Sequence, residues 1–512
     1  MKMLLSSLAL SMAGLCLAVV CQAGGASHSD VREPAVAGKF YPDSPARLRL
    51  AIEKFLQDAV PAGANRPLAI VVPHAGYIFS GQICADGFRQ VQGRKYDVVV
   101  VLGTNHTGPG YRKISLHPGD GFRTPLGTAA IDREVVRSLL QADPAGCALD
   151  RTLHEREHSV EVVVPFVQVL FPNAKIVPAV VGSPDMEIDS RFGQALAKVL
   201  KGRRALIVAS SDLSHYPAAE HAGRVDRETL AAMAKMDASL FVKTAHAGMD
   251  GSIANLHTRV CGEAPILAAM AAARSLGAVR GVVVSYAHSG DVPVGERSRV
   301  VGYGAVAFVA DGEGKGAALP QSAAPAAGSS ALSVSDKRKL LALARETLAR
   351  IFSTETVPLA RGCGANLQQP RGVFVTLRKR GELRGCIGRM VGNEPLCKMA
   401  GTMALQAAFQ DNRFRPLAAD ELKDVEIEIS VLTPMKPVAG VSDIVVGRDG
   451  VLLMKEGRSA VFLPQVATEQ GWNREEMLDH LCLKAGLKAG SWREGARFST
   501  FQAIVFGESE FR

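Results

Sequence analysis

Short, β-branched apolar runs recur through the first part of the chain: LAIVV (68–72), YDVVVVLG (96–103), AKIVPAVVG (174–182), RALIVAS (204–210) and VRGVVVSY (279–286). Between them the apolar positions return at helical spacing, as in ARLRLAIEKFLQDA and RFGQALAKVLK. Continuous apolar strands separated by helices predict an α/β fold, a mainly parallel sheet covered on both faces by helices. The pattern then stops. Residues 311–335, DGEGKGAALPQSAAPAAGSSALSVS, are rich in Ala, Gly, Ser and Pro without apolar periodicity, the composition of a flexible linker. Beyond them SDKRKLLALARETLARIF reads as a helix that Ser335 could cap, followed by strands GVFVTLRK and VEIEISVLTP, the second alternating strictly. A smaller α+β domain over 336–512 is predicted.

The N-terminus has its own pattern. Lys2 precedes an apolar stretch from Leu4 to Val20, and CQAGGASHSD supplies small residues and a polar exit. This is the layout of a secretory signal peptide over residues 1–26, cleaved after Ala23 or Ala26, with an uncleaved anchor as the alternative. The expectation is a periplasmic, secreted or membrane-anchored protein, cytoplasmic only if the leader is not used. Composition adds little to this. With 512 residues, 47% hydrophobic and 21% charged, the chain is globular and multidomain. A net charge of +9 permits anionic partners without requiring nucleic acid. Seven widely spaced cysteines follow the leader, with no CxxC pair, which excludes a disulfide framework.

The candidate chemistry lies where the strands end. IVVPHAGYIFSG delivers His74 into a glycine-rich turn, VVVVLGTNH presents His106, LIVASSDLSH presents Asp212 and His215, and VVVSYAHSGD presents His288 and Asp291. In open α/β sheets the carboxyl ends of the strands gather at one edge, where ligands bind, so these side chains are candidates for one shared site rather than unrelated loop residues. HEREHSVEVVVPF places His154, Glu157, His158 and Glu161 at helical spacings, so that His154, His158 and Glu161 could share a face. Cys261 stands before Gly262 with a helix beyond, either a small buried hydrophobe or a thiol made more acidic by a helix N-terminus.

In order along the chain, PHAGYIFSG, LGTNH, EHSVE, SSDLSH and CGEAPI resemble the Memo family, related in fold to the class III extradiol dioxygenases, over about residues 32–310. The resemblance implies a metal held by His74, His106 and Cys261, with Asp212 and His215 beside it. On that basis His215, oriented by Asp212, is expected as catalytic acid or base, and His158, Glu161 and His288 as residues supporting the pocket. The extradiol enzymes use a carboxylate with two histidines. A thiolate in its place shifts preference toward softer metals, copper or zinc, without excluding iron; the cofactor expected is iron or copper, with zinc open, and ring cleavage is not inherited from the fold.

The second part carries RGVFVTLRKRGELRGCIGRM, in which Arg378, Lys379, Arg380, Arg384 and Arg389 cluster around Cys386 between Gly385 and Gly388. Glycines admit close approach and cations favour a thiolate; a solvated basic hairpin is the plainer reading. LRGCIG and the stretches AFQDNRFRPLAADELKDVEIEISVLTP and FLPQVATEQGWNREEMLDHLCLKAGL resemble the AMMECR1 domain. Arg384, Gly385, Cys386 and Gly388 mark the surface to test, with an anionic ligand or nucleic acid as the implied partner. Memo-like and AMMECR1-like proteins accompany a radical SAM protein in the AmmeMemoRadiSam system, and this chain resembles a fusion of two of those components. The implied function is a metal-binding, redox-active protein acting on a small molecule or peptide; the alternative is a non-catalytic peptide- or nucleic-acid-binding module.

Overall fold

The computed structural model describes residues 30–182, 184–310 and 331–511; the leader and most of the linker lie outside them. The apolar runs form an eight-stranded sheet. From one edge the order is Arg280–His288, Gly302–Val309, Pro67–Val72, Ala205–Ser210, Val98–Thr104, Lys175–Val181, Ile114–Leu116 and Cys147–Leu149. The four strands 67–72, 205–210, 98–104 and 175–181 are parallel neighbours, and antiparallel partners flank them. Every residue of Val98–Thr104 is buried, as expected of a strand with helices on both faces.

Local signals start the helices. Asp132 accepts the amides of Glu134 and Val135, and Asp185 those of Glu187 and Ile188, satisfying donors a first turn leaves free. Glycine governs closeness at the functional edge. A Cβ on Gly262 would lie 2.4 Å from Ser211 Cβ, and one on Gly103 would lie 2.5 Å from Ser159 Oγ. Only glycine lets these segments meet the strand ends.

After the linker, the helix Val334–Thr354 is capped by Ser333, not Ser335. Ser333 accepts the Asp336 amide, and Asp336 returns a bond to the Ser333 amide. The domain is built on two antiparallel four-stranded sheets with separate cores. One core packs helices 334–354 and 396–409 on strands including 373–379 and 425–432. The other surrounds strand 450–455 and helix 474–484.

The two parts of the chain meet directly. Arg361 pairs with the fully buried Asp86, and Arg350 pairs with Asp58. Lys398 Nζ donates to Gly295 O at 2.7 Å, and Thr402 Oγ1 donates to Pro293 O at 2.8 Å. All seven described cysteines are unpaired. Among the described residues no helix is long and apolar enough to cross a membrane.

Candidate metal centre at the strand ends

His74, Asp212 and His106 each stand two residues beyond one of three adjacent parallel strands, 67–72, 205–210 and 98–104. Parallel pairing brings equivalent ends to one edge, so residues far apart in sequence converge. Cys261 joins them just ahead of helix Glu263–Ser275: Cys261 N–H donates to Asp212 O at 3.2 Å, and Asp212 N–H donates to Cys261 Sγ at 3.2 Å.

The donor atoms form two trios that share His74. Those of His74, His106 and His158 lie within 4.8 Å of one another, as do those of His74, Asp212 and Cys261. His74 Nε2 is 3.3 Å from Cys261 Sγ and 4.0 Å from Asp212 Oδ2. Tetrahedral ligands around a first-row metal sit roughly 3.3–3.8 Å apart, so the histidine–thiol spacing matches shared ligation. His158, expected in a supporting role, stacks on His106 with ring centroids 4.7 Å apart and meets the His74 ring edge-on at 5.4 Å. It therefore stands among the donors rather than behind them.

The surroundings choose which nitrogens are free. Ser210 has one hydroxyl hydrogen and gives it to the Ser159 carbonyl at 2.6 Å. At His74 Nδ1, 2.9 Å away, it can only accept. The proton is on Nδ1, and Nε2 presents a lone pair to the cluster. Glu157 does the same for His106: one carboxylate oxygen takes Nδ1 at 2.9 Å, the other the His106 amide at 2.7 Å. Burial pushes the Glu157 carboxyl up, but these bonds and that from the Ser159 amide outweigh it and hold it at about 2. Although burial opposes it, the Glu157 bond leaves the His106 pKa raised. Such carboxylate–histidine pairs fix the tautomer and orientation of metal ligands. Neither Ser210 nor Glu157 stands out in the sequence; HEREH holds two glutamates, and spacing does not distinguish them.

Asp212 is buried, which raises its pKa; Oδ1 accepts the amides of His74 and Ala75, leaving Oδ2 toward His74. Burial, reinforced by the Asp212 charge, also raises the Cys261 thiol, and a bound cation would reverse that balance. His215 is lowered by burial against the opposing pull of Asp212. Its Nε2 is buried without a hydrogen-bond partner. It sits within electrostatic reach of Asp212, with no hydrogen bond from the carboxylate orienting it. His106 and His158 form the solvent side, with 30% and 23% of their side chains exposed.

Glu161 and His288, expected to support the pocket, do other work, and His154 shares no helical face with His158 and Glu161. The helix containing His154 ends at Glu155, and the following residues turn instead of continuing it, so the shared face is never formed. His154 packs 5.2 Å from His117. Glu161 binds Arg32 at 2.7 Å and accepts from the Ala35 and Val36 amides and the Tyr41 hydroxyl. It clamps the N-terminal segment to the domain, and every acceptor site is used. His288 ends a strand two places farther along the sheet, where its Nδ1 lies 3.3 Å from Asp291 Oδ2 at the seam with the second domain.

In the second domain, Arg384 and Lys379 both bind Glu421, at 2.8 and 2.9 Å, and hold its carboxyl well below the usual range. Arg384 also donates to the carbonyls of Arg415 and Pro416. The glycines flanking Cys386 serve packing. A Cβ on Gly385 would lie 2.2 Å from Ala407 O, and one on Gly388 would lie 2.2 Å from the Phe374 ring. Cys386 itself accepts from Thr376 Oγ1 at 3.3 Å, and its amide donates to Asp411.

Fold and site define a two-part chain, an α/β domain with a candidate His/Asp/Cys metal centre fused to a smaller sheet-rich domain. Residues 32–307 match the family of Memo-like proteins and residues 341–506 match AMMECR1. The chain belongs to the Memo-like family, fused to an AMMECR1 domain. A MEMO1 family protein of Aquifex aeolicus is 38% identical over 281 residues, 54% of this chain and 99% of that protein. One from Methanothermobacter thermautotrophicus is 36% identical over 283 residues, 53% and 98% of the two chains. A solved, uncharacterised protein of Pyrococcus horikoshii is 35% identical, covering 33% of this chain and 89% of its own at a TM-score of 0.31.

Proposed function

We propose that this chain is a metal-dependent redox protein whose centre is His74, His106 and Cys261, with His158 and Asp212 as the further donors of the two trios. The observation that carries the reading is the fixing of His74 and His106, each with its Nδ1 proton committed to Ser210 or Glu157, so that the other nitrogen is left for an ion. A core in need only of packing has no use for two histidines oriented in this way. Imidazole with thiolate favours copper or iron over a hard cation. Such a metal, when bound, supplies a site for electron transfer to oxygen or substrate.

The residues around it have separable roles. His215, kept neutral by burial, can take a proton from a small molecule or peptide arriving past His106 and His158. Asp212 holds the His74 turn through two backbone amides and keeps its second oxygen toward the centre. For the second domain the proposal is accessory binding of an anionic ligand or nucleic acid. Because Arg384 is neutralised by Glu421, the remaining cations of the hairpin would supply the charge. A radical SAM protein is the proposed partner by resemblance. Export follows from the leader reading, which N-terminal sequencing of the mature protein tests.

Elemental analysis of purified protein, paired with oxygen consumption, tests the centre. Wild-type should carry a stoichiometric first-row metal, lost in His74→Ala with an unchanged circular dichroism spectrum, and oxygen uptake should vanish with it. Stoichiometric metal without oxygen or peroxide turnover would make the domain a binding module. Absence of metal in wild-type protein loaded with copper, iron or zinc overturns the reading.

A further inference from the structure

Where the two domains meet lies a cavity of about 550 Å³ that shares no residue with the metal centre. Its size is that of a ligand site, and such sites favour domain interfaces. One wall is the first-domain loop 293–298, beyond strand Arg280–His288. The other is formed by Arg389, at the end of strand Glu382–Arg389, by Asn393 and by helix Leu396–Phe409. The walls are pinned together, since Thr402 Oγ1 donates to Pro293 O and Lys398 Nζ to Gly295 O. The space is therefore formed before any ligand arrives, which lowers the cost of binding.

The helix divides its faces sharply. Met399, Met403, Ala404 and Ala407 turn into the core of the second domain, while Thr402, Gln406 and Gln410 line the cavity. Four residues apart, these three stand in a row on one face, about 6 Å from one to the next along the axis. An extended peptide returns to the same side every second residue, about 6.6 Å. The row is about 12 Å long, the length of about three or four extended residues. The side chains of Asn393, Gln406 and Gln410 have no hydrogen-bond partner among the described residues. Each carboxamide offers a donor and an acceptor, the complement of a peptide group.

Charge narrows the ligand further. Of the charged side chains on the cavity, Arg297 is paired with Asp291 and Glu394 with Lys398. Arg389 and Glu296 are exposed, have no ion-pair partner among the described residues, and do not reach each other. One free cation and one free anion suit a ligand of both signs better than a simple anion. We propose that this interdomain cavity binds a short, extended peptide with free termini. Arg389 takes its carboxylate, which matches a guanidinium bidentately, and Glu296 takes its ammonium. Gln406 and Gln410 bond its peptide groups, and an apolar side chain rests on Val294 and Leu405, which line the same space.

Isothermal titration of the full-length protein with the tripeptide Ala-Leu-Ala tests this, beside the same peptide acetylated and amidated, free leucine and inorganic phosphate. Ala-Leu-Ala should bind at one site per chain. Arg389→Gln and Glu296→Gln should each weaken it about tenfold, the loss of one charge-assisted contact, and blocking both termini should weaken it more. Both side chains are exposed, so the melting temperature of each variant should match wild-type. His74→Ala should bind the peptide as wild-type does. No binding of Ala-Leu-Ala at millimolar concentration, or equal affinity for leucine or phosphate, overturns the proposal. So does peptide binding that survives both Arg389→Gln and Glu296→Gln unchanged, or that is lost in His74→Ala.

Discussion

Replacing Glu157 by glutamine tests whether the candidate centre is held from behind. The carboxylate accepts three hydrogen bonds, from His106 Nδ1 at 2.9 Å, the His106 amide at 2.7 Å and the Ser159 amide at 2.9 Å, with its side chain 1% exposed. Glutamine keeps the shape but turns one of its two terminal atoms into a donor, so at least one of the three N–H groups faces another N–H. A buried polar group left without a partner costs about 1–3 kcal/mol. Loss of an outer-shell partner lowers metal affinity about 10–100-fold, which is about 1.4–2.7 kcal/mol at about 1.4 kcal/mol per factor of ten. The two ranges agree. Chelator competition with copper or iron measures the affinity, and NMR titration of the metal-free protein measures His106. The affinity should fall by that factor, and the His106 pKa, now raised by Glu157, should drop. Affinity within twofold of wild-type together with an unmoved His106 would refute the orienting role.

Arg32→Ala leaves Glu161 buried without its cation, which costs about 3–5 kcal/mol; urea denaturation should show it while metal content of the folded fraction stays unchanged. Gly385→Ala drives a methyl to 2.2 Å from Ala407 O and should destabilise the second domain by about 1–3 kcal/mol or more, read as a shift of one calorimetric transition. Acidification weakens the first domain through His117 and His154. Burial lowers them from an ordinary 6.5 to about 4 and about 3. The unfolded chain therefore binds protons first as pH falls below 6.5, and the stability each neutral ring supports is present above 6.5 and lost on descent toward pH 3–4. Linkage puts the loss at pH 5 near ~2 kcal/mol per histidine, and thermal melts at pH 7 and 5 should differ less in His117→Gln than in wild-type.

Much was legible before any coordinates. The strand runs were predicted within a residue or two, because unbroken β-branched segments have few alternatives to a buried strand. The convergence of His74, His106 and Asp212 followed from parallel topology. The reading of HEREHSVE as one helical face failed for a local reason: the chain turns after Glu155, and the four side chains scatter. His158 joins the cluster, Glu157 holds His106, Glu161 clamps Arg32, and His154 goes to the His117 side. Spacing alone assumes a continuous helix and cannot detect its end.

The sequence by itself thus determined the order of elements, the division into two parts and the edge at which the chemistry gathers, since local propensity and strand connectivity carry that information. Only the tertiary structure decided which partner each polar group meets. Ser210 sets the His74 proton through the Ser159 carbonyl, Glu421 neutralises Arg384, and Arg361 meets Asp86 of the other domain. These pairings depend on where surfaces come to rest after packing. Hydrogen bonds and ion pairs act over a few ångströms, a distance that sequence separation does not encode.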